Sequence, residues 1–427
     1  MVGRFITLVF SWKRFLKNKK ARALLLLVAL LLFVWGGIAG FAWWNYKAAQ
    51  QALDKDDLDG ARTSISRTLK VWPHSADSHF LAARIQRLRD SFKEAETHLR
   101  ACQNLEGRTE RLQLEWLLLR LQAGESTEVA PGLRNCVLED HPQSGWILEA
   151  LARSYFRDLR FRQAYRCLEF WLKKEPGQLR ALMLRARLGK QMDVEFREQT
   201  LADYQHVLEL NPDNWRARLD LADVFLSDRK TIAALNHLEI VGKAQGECAD
   251  YLLVLGKARV LEGKTGEARE LFNRVVALNS KNPQVFQQLG QIELQEGRPV
   301  EAERCFRNAL KVDPTFGVAY FSLYSALIQQ NQTEKAQIEL QNYKDYKTEM
   351  DNVKKHLDDF EKTGKPNSLV EAGELIARRG NEELGRQFLL RALEMDPANR
   401  KAHQLLMDYY TRKNQPHEAA KHRKYLH

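Results

Sequence analysis

A chain of 427 residues, 44% apolar and 28% charged, has the composition of an ordered protein with more than one packed unit. Eleven prolines and no low-complexity run exclude extended disorder. A net charge of +11 suggests nucleic acid at first, but Arg4, Lys13, Arg14, Lys17, Lys19, Lys20 and Arg22 supply +7 of it with no acidic residue among them, which leaves +4 for the rest.

No nucleic-acid partner is therefore expected. The five cysteines, Cys102, Cys136, Cys167, Cys248 and Cys305, include no CxxC pair and are odd in number, so they are no disulfide framework. They are expected to act as buried, small apolar residues.

Residues 1–22 form a basic tail. Phe5, Ile6, Leu8, Val9, Phe10, Trp12, Phe15 and Leu16 lie among its cations, which suits either an interfacial amphipathic helix on anionic lipid or an unstructured basic flank. Residues 23–44, ALLLLVALLLFVWGGIAGFAWW, contain no charge. As a helix they span roughly 33 Å, enough for a bilayer core of about 30 Å. Trp43, Trp44 and Tyr46 gather at the far end, where amphipathic rings favour the membrane interface. Gly40-Phe41-Ala42 fits a small-x-small cleavage site, but the run exceeds the about 7–15 residues of a signal peptide's apolar region. An uncleaved single-pass anchor is expected. Short basic segments resist translocation. The N-terminus is thus expected in the cytoplasm, and everything after Trp44 on the periplasmic or outer side of a cytoplasmic (inner) membrane, or in a eukaryotic lumen.

From residue 45 onward the chain repeats. Gly256 and Gly290 are 34 residues apart, as are Ala61 and Ala95, Ala268, Ala302 and Ala336, and Pro142 and Pro176. Each unit reads as two amphipathic helices. The first carries a large residue beside a small one and an apolar residue three further on, as in Leu151-Ala152-Tyr155 and Leu221-Ala222-Phe225. The second carries small, large and apolar residues at spacings of four and three, as in Ala164-Leu168-Trp171 and Ala302-Phe306-Ala309. Residues so spaced share one helical face, and the small ones mark where two backbones come closest. Prolines such as Pro73, Pro212, Pro314 and Pro397 end one unit and force the turn into the next.

The stretch LGQIELQEGRPVEAERCFRNALKVDP, Leu289 to Pro314, resembles the tetratricopeptide repeat (TPR) family at Leu289, Gly290, Ala302, Phe306, Ala309 and Pro314, and departs at Glu293, where an aromatic is usual. The units fall near 42–75, 76–109, 111–144, 145–178, 179–214, 215–248, 249–282, 283–316, 317–350 and 366–399, with a partial one at 400–427. Thr200 replaces the small alanine of the fifth unit and Gly385 that of the tenth. The resemblance implies an all-α chain in which a transmembrane helix precedes a right-handed α-solenoid of about ten to eleven helix pairs. Units one to nine occupy 45–343 and the last units 366–427.

Residues 344–365 break the period. Tyr343, Tyr346, Met350, Val353, Leu357 and Phe360 are spaced 3, 4, 3, 4 and 3, a heptad seam that extends the ninth unit's second helix to about Glu361. The seam is expected to pack on the array's own C-terminal units, and docking of a partner helix is the alternative.

Three motif-like stretches carry no chemistry. Gly263-Lys264-Thr265 lacks the glycine five residues earlier that a phosphate loop needs, since that residue is Ala258. Asp54 to Gly60 has Lys55 and Ser66 where a calcium loop needs carboxylates. His417 and His422 are five apart, not four. No catalytic residue, metal site or cofactor is expected.

In TPR proteins the first helices line the concave face. That register places Phe80, Arg84, Arg87, Trp146, Arg153, Phe156, Arg157, Arg180 and Arg187 in a groove. Guanidinium groups interleaved with rings suit an acidic or aromatic peptide. The Lys/Asn clamp that some family members use for C-terminal carboxylates is absent, because Phe80, Arg84, Glu149 and Arg153 stand at its positions. The reading is a non-catalytic, membrane-anchored scaffold for protein or peptide clients at the cell envelope. The alternative is an accessory subunit of an envelope enzyme, secretion or polysaccharide-export system.

Overall fold

A computed structural model describes residues 19–426 apart from 125, 159, 193–195 and 280, with side chains in that range except at 19–26, 28–32, 126–128, 245 and 361. The tail's residues 1–18 lie outside it. Among the described residues there are 22 helices and no strand. They divide into two compact units, Met1–Leu119 and Arg120–His427.

The first unit holds α1 (Lys19–Asp54), α2 (Leu58–Val71), α3 (Ala76–Leu88), α4 (Phe92–Glu106) and most of α5 (Glu110–Ala123). The anchor expected at 23–44 falls within α1, and its side chains at 23–26 and 28–32 lie outside the described ones. Among the described residues no helix is long and apolar enough to cross a membrane. Trp43 and Trp44 are exposed, whereas Tyr46 is half-buried. Burial raises the Tyr46 hydroxyl's pKa, and the charges of Asp77, Arg111 and Arg84 act on it from the first hairpins.

The second unit begins within α5 and continues with α6 (Ser126–Leu138), α7 (Ser144–Arg157), α8 (Phe161–Lys174), α9 (Leu179–Gly189), α10 (Arg197–Leu210), α11 (Trp215–Ser227), α12 (Thr231–Gln245), α13 (Ala249–Leu261) and α14 (Thr265–Leu278). It closes with α15 (Pro283–Gln295), α16 (Pro299–Val312), α17 (Val318–Gln329), α18 (Thr333–Thr363), α19 (Pro366–Arg378), α20 (Glu382–Met395), α21 (Arg400–Arg412) and α22 (Pro416–Arg423).

Local chemistry starts and stops these helices. Ser75, Asn214, Asn381 and Asn399 accept from backbone N–H groups of the first turn they precede, which satisfies otherwise orphaned donors. Asp57 caps α2 by accepting from the Gly60 N–H at 3.1 Å, so the acidic Asp54–Gly60 stretch is a helix start. One residue in the left-handed region ends each of several first helices: Arg229, Gly263, Asn331 and, 34 residues later in turn, Gly297 after Gly263 and Asn414 after Gly380. Gly263-Lys264-Thr265 is therefore an inter-helix turn.

The small residues sit at the crossings. Ala61 and Ala95 in the first unit are fully buried, as are Ala234, Ala268, Ala302 and Ala336 in the second. A Cβ placed on Gly256 would strike the Phe272 ring, and one on Gly290 would strike the Phe306 ring in the same way. Where the pattern departs, the neighbours compensate. Thr200 lies against Gly189, and Gly385 approaches the Gly373 carbonyl. Glu293, at the usual aromatic position, accepts from Arg269 Nε at 3.0 Å and Arg298 Nε at 2.5 Å. Burial raises its pKa, but those two arginines outweigh that and hold it low.

In the first unit α1 packs on α2, α2 on α3 and α3 on α4; in the second, each helix from α6 onward packs on its successor, and alternate first helices also touch: α11 on α13, α13 on α15, α15 on α17. That is the nearest-neighbour stacking of a solenoid. α18 runs on past its unit to Thr363, where Gly364 takes the left-handed cap position. Val353, Leu357 and Phe360 are buried with Leu369, Val370, Ala372 and Ile376 of α19. Cys102 is buried and the other four cysteines are half-buried. Burial, with Glu106 beside it, pushes the Cys102 thiol up to about 12.

Two hairpins share a histidine pair. His79 Nδ1 meets His98 Nδ1 at 3.0 Å while His79 Nε2 meets the Pro73 carbonyl at 3.0 Å. His403 Nδ1 meets His422 Nδ1 at 2.9 Å while His403 Nε2 meets the Pro397 carbonyl at 3.0 Å. A carbonyl only accepts, so Nε2 of His79 and of His403 carries the proton. Their Nδ1 atoms then accept from His98 and His422. Burial, and next the partner ring, lowers the pKa of His98 and of His422, with Glu94 and Glu418 pulling the other way and Lys421 adding to the depression at His422. A folded value below the unfolded one of about 6.5 means that stability is complete above that pH and declines as pH falls through it toward the folded values. The carboxylates held low by arginines act only below about pH 4.5. The midpoint of denaturant unfolding is therefore expected to fall between pH 7.5 and 5.5, and His98→Asn/His422→Asn, which keeps a donor near Nδ1, is expected to flatten that decline.

Candidate interaction groove

The first helices carry a ladder of ion pairs between successive units. In the first unit, Glu115 of α5 is buried and accepts from Arg84 Nη2 at 2.9 Å and Arg87 Nε at 2.6 Å, both on α3. Burial would raise the Glu115 carboxyl, but the two guanidinium charges outweigh it and hold it below the usual carboxylate range. Phe80 lies between the Arg84 and Arg111 cations, 4.8 and 4.9 Å from its ring centre.

In the second unit the pattern recurs. Glu149 of α7 is fully buried and faces Arg153 Nε at 3.2 Å and Arg180 Nε of α9 at 3.5 Å. Arg180 also lies over the Trp146 ring at 3.8 Å. Arg187 of α9 meets Asp220 of α11 at 3.2 Å, Lys190 meets Asp223 at 2.5 Å, and Lys257 of α13 meets Asp223 at 3.0 Å. Burial raises Asp223, yet Lys257 and Lys190 outweigh it and lower its pKa.

The predicted groove residues are thus on first helices, but most of their charge faces carboxylates of this chain. Arg87 and Arg180 are buried, Arg84, Arg153, Arg157 and Arg187 are partly covered, and Phe156 is exposed beside Phe161. Sequence reading missed the acids. A signal existed: Asp223 and Lys257 are 34 residues apart and Arg187 and Asp220 are 33 apart, so charges of opposite sign occupy neighbouring units at nearly the same position.

This face opens into a cleft of about 260 Å³ formed by α9, α11, α13 and the start of α15. Trp215, Asp220, Asp250, Lys257, Arg187 and Gln284 line it. The fully buried Tyr204 hydroxyl of α10 has no hydrogen-bond partner among the described residues. Burial, with Asp220 next, raises its pKa strongly. It remains protonated.

A contact of long sequence separation closes the other end. Arg391 of α20 donates from Nη1 to Asp158 Oδ2, just after α7, at 2.7 Å, and both are largely buried. The Arg391 and Arg160 guanidiniums lie 5.1 and 5.6 Å from the Phe360 ring centre, and α20 packs on α6. Arg157, next to this contact, reaches Asp158 and the Gln122 carbonyl. The C-terminal helices therefore cover the end of α7.

Among the described residues no group of three or more metal-ligating side chains forms. Residues 46–105 and 229–283 match one tetratricopeptide repeat model, and residues 283–316 match a second. These segments are tetratricopeptide repeats. No curated protein matches the chain. Among solved structures, the chain is similar to a human IFIT1 dimer with m7Gppp-AAAA at 17% identity, covering 82% of this chain and 89% of that one, TM-score 0.46. It is similar to a tetratricopeptide repeat protein from Parabacteroides merdae at 16%, covering 67% and 99%, TM-score 0.39. A third is YrrB, a TPR protein with an unusual peptide-binding site, at 22%, covering 42% and 91%, TM-score 0.30. Likeness at these values does not carry their ligands over to this chain.

Removing a buried acid leaves its cations uncompensated. Glu149→Ala is expected to destabilise the fold by about 3–5 kcal/mol. Glu96→Ala, which breaks the exposed pair with Arg100, is expected to change it by less than about 1 kcal/mol. Urea unfolding midpoints compare the two.

Proposed function

We propose that this chain is a non-catalytic scaffold whose TPR array holds a protein or peptide client on its first-helix face. Tandem repeats of this kind are interaction surfaces, because stacking exposes a long continuous face. The observation that carries the reading is the cleft of α9, α11, α13 and α15, where an indole, four cations and three carboxylates line one opening. An extended peptide with alternating charge would find complementary partners there, and Gln284 adds a neutral hydrogen-bonding group.

The apolar run at 23–44 supports a single-pass anchor in a cytoplasmic membrane. The basic tail would remain in the cytoplasm and the array would stand on the outer side, for assembly or recruitment of envelope proteins.

A photoreactive amino acid at Gln284, in the cleft, is expected to trap a discrete protein in intact cells, and one at the exposed Glu270 of α14 is expected to trap none. Asp250→Lys is expected to abolish the trapped species without lowering thermal stability. Equal trapping from both positions, or trapping that survives Asp250→Lys, would contradict the proposal.

A further inference from the structure

The first hairpin places a basic face at the level where the apolar run ends. α1 and α2 are antiparallel and joined by the turn at 55–57. α1 buries Ala42, Asn45, Ala49 and Leu53, and α2 buries Ala61, Ile65 and Thr68. Thr68 Oγ1 donates to the Ala42 carbonyl at 3.3 Å, which sets the register. Carried along the pair, it puts Arg67 level with Trp43 and Lys70 level with Gly40.

On the side of α2 away from α1, Arg62, Thr63, Ser66, Arg67 and Lys70 line an open cleft of about 320 Å³. Their spacing of one, three, one and three residues keeps all five on one helical face. All five are exposed. Among the described residues no carboxylate pairs with the three cations. The helix's one acid, Asp59, is paired with Arg89, and Asp77 of the neighbouring α3 is paired with Arg111. Trp72 follows at the end of α2, level with Ile38 in the same register.

We infer that this face binds the phosphate of an anionic phospholipid in the leaflet that the array faces. The inference rests on the anchor reading above. Arginine pairs a phosphate bidentately and the Ser66 hydroxyl can donate to a remaining oxygen, while the Thr63 hydroxyl donates to the Asp59 carbonyl at 2.9 Å. Lys70, nearest the apolar region, can extend its stem along the bilayer surface and keep its ammonium at headgroup depth. A choline or ethanolamine headgroup would bring a cation to a face whose one carboxylate, Asp59, is already held by Arg89. The site therefore selects headgroups with net negative charge, such as phosphatidylglycerol. Bound lipid would fix the first repeat against the membrane surface.

The full chain reconstituted in phosphatidylcholine vesicles tests this, with a minor fraction of photoreactive phosphatidylglycerol or photoreactive phosphatidylcholine and crosslinks mapped by peptide mass. The phosphatidylglycerol probe is expected to label the segment 60–75 at least about five-fold more than the phosphatidylcholine probe, the effect of roughly one basic residue near an anionic surface. Arg62→Gln/Arg67→Gln/Lys70→Gln is expected to reduce that yield to the phosphatidylcholine level, with labelling of 23–44 unchanged. Equal labelling of 60–75 by both lipids, or an unaltered preference in the triple variant, overturns the lipid site and leaves the anchor standing. No labelling of either segment overturns both.

Discussion

The structure depends on one steric constraint, the near-contact of two helix backbones at a residue with little or no side chain. Gly256 faces Phe272 and Gly290 faces Phe306 with the same geometry, one repeat apart. The ring fills the space that a larger residue would take, and the fully buried alanines Ala268 and Ala302 on the partner helices let the backbones approach from the other side. Interiors are close-packed and tolerate little added volume. The distance between helices is thereby set unit by unit, and the stack follows from repetition. Departures obey the same constraint, since Thr200 stands against Gly189 and Gly385 against Gly373.

Stacking at that distance brings successive first helices close enough for their charges to pair. Arg84 and Arg87 with Glu115, Arg180 with Glu149, and Lys190 and Lys257 with Asp223 are consequences of the repeat geometry. Buried pairs of this kind add little net stability, but they are costly to break. Their effect is to neutralise much of the first-helix face from within. What remains accessible is a mixed-charge cleft, and its complement is a client with charges of both signs. The Asp158–Arg391 contact adds a second restraint, because helices far apart in sequence are held together at the end of α7.

Much of the helical organisation was legible in the sequence, because the signals are local. The 34-residue spacing of Ala268, Ala302 and Ala336 marks helix pairs, and the 3-4 spacing from Tyr343 to Phe360 marks a helix that continues to Thr363. The groove was less legible. First-helix register locates Arg87 and Arg180, but their burial depends on Glu115 and Glu149 arriving at matching height. The histidine pairs, 19 residues apart, and the Arg391–Asp158 contact, 233 apart, depend on side-chain geometry and on the course of many units, which no short window of sequence contains.

The most direct test of this account is a double-mutant cycle on Gly290 and Phe306, read as the free energy of unfolding in urea. A Cβ at Gly290 that strikes the ring should cost about 1–3 kcal/mol in the parent and much less when Phe306→Leu has already vacated the space. A favourable coupling above about 0.5 kcal/mol is the result the account predicts. Additive losses for Gly290→Ala and Phe306→Leu would contradict it, because the small residue and the ring would then not share one crossing.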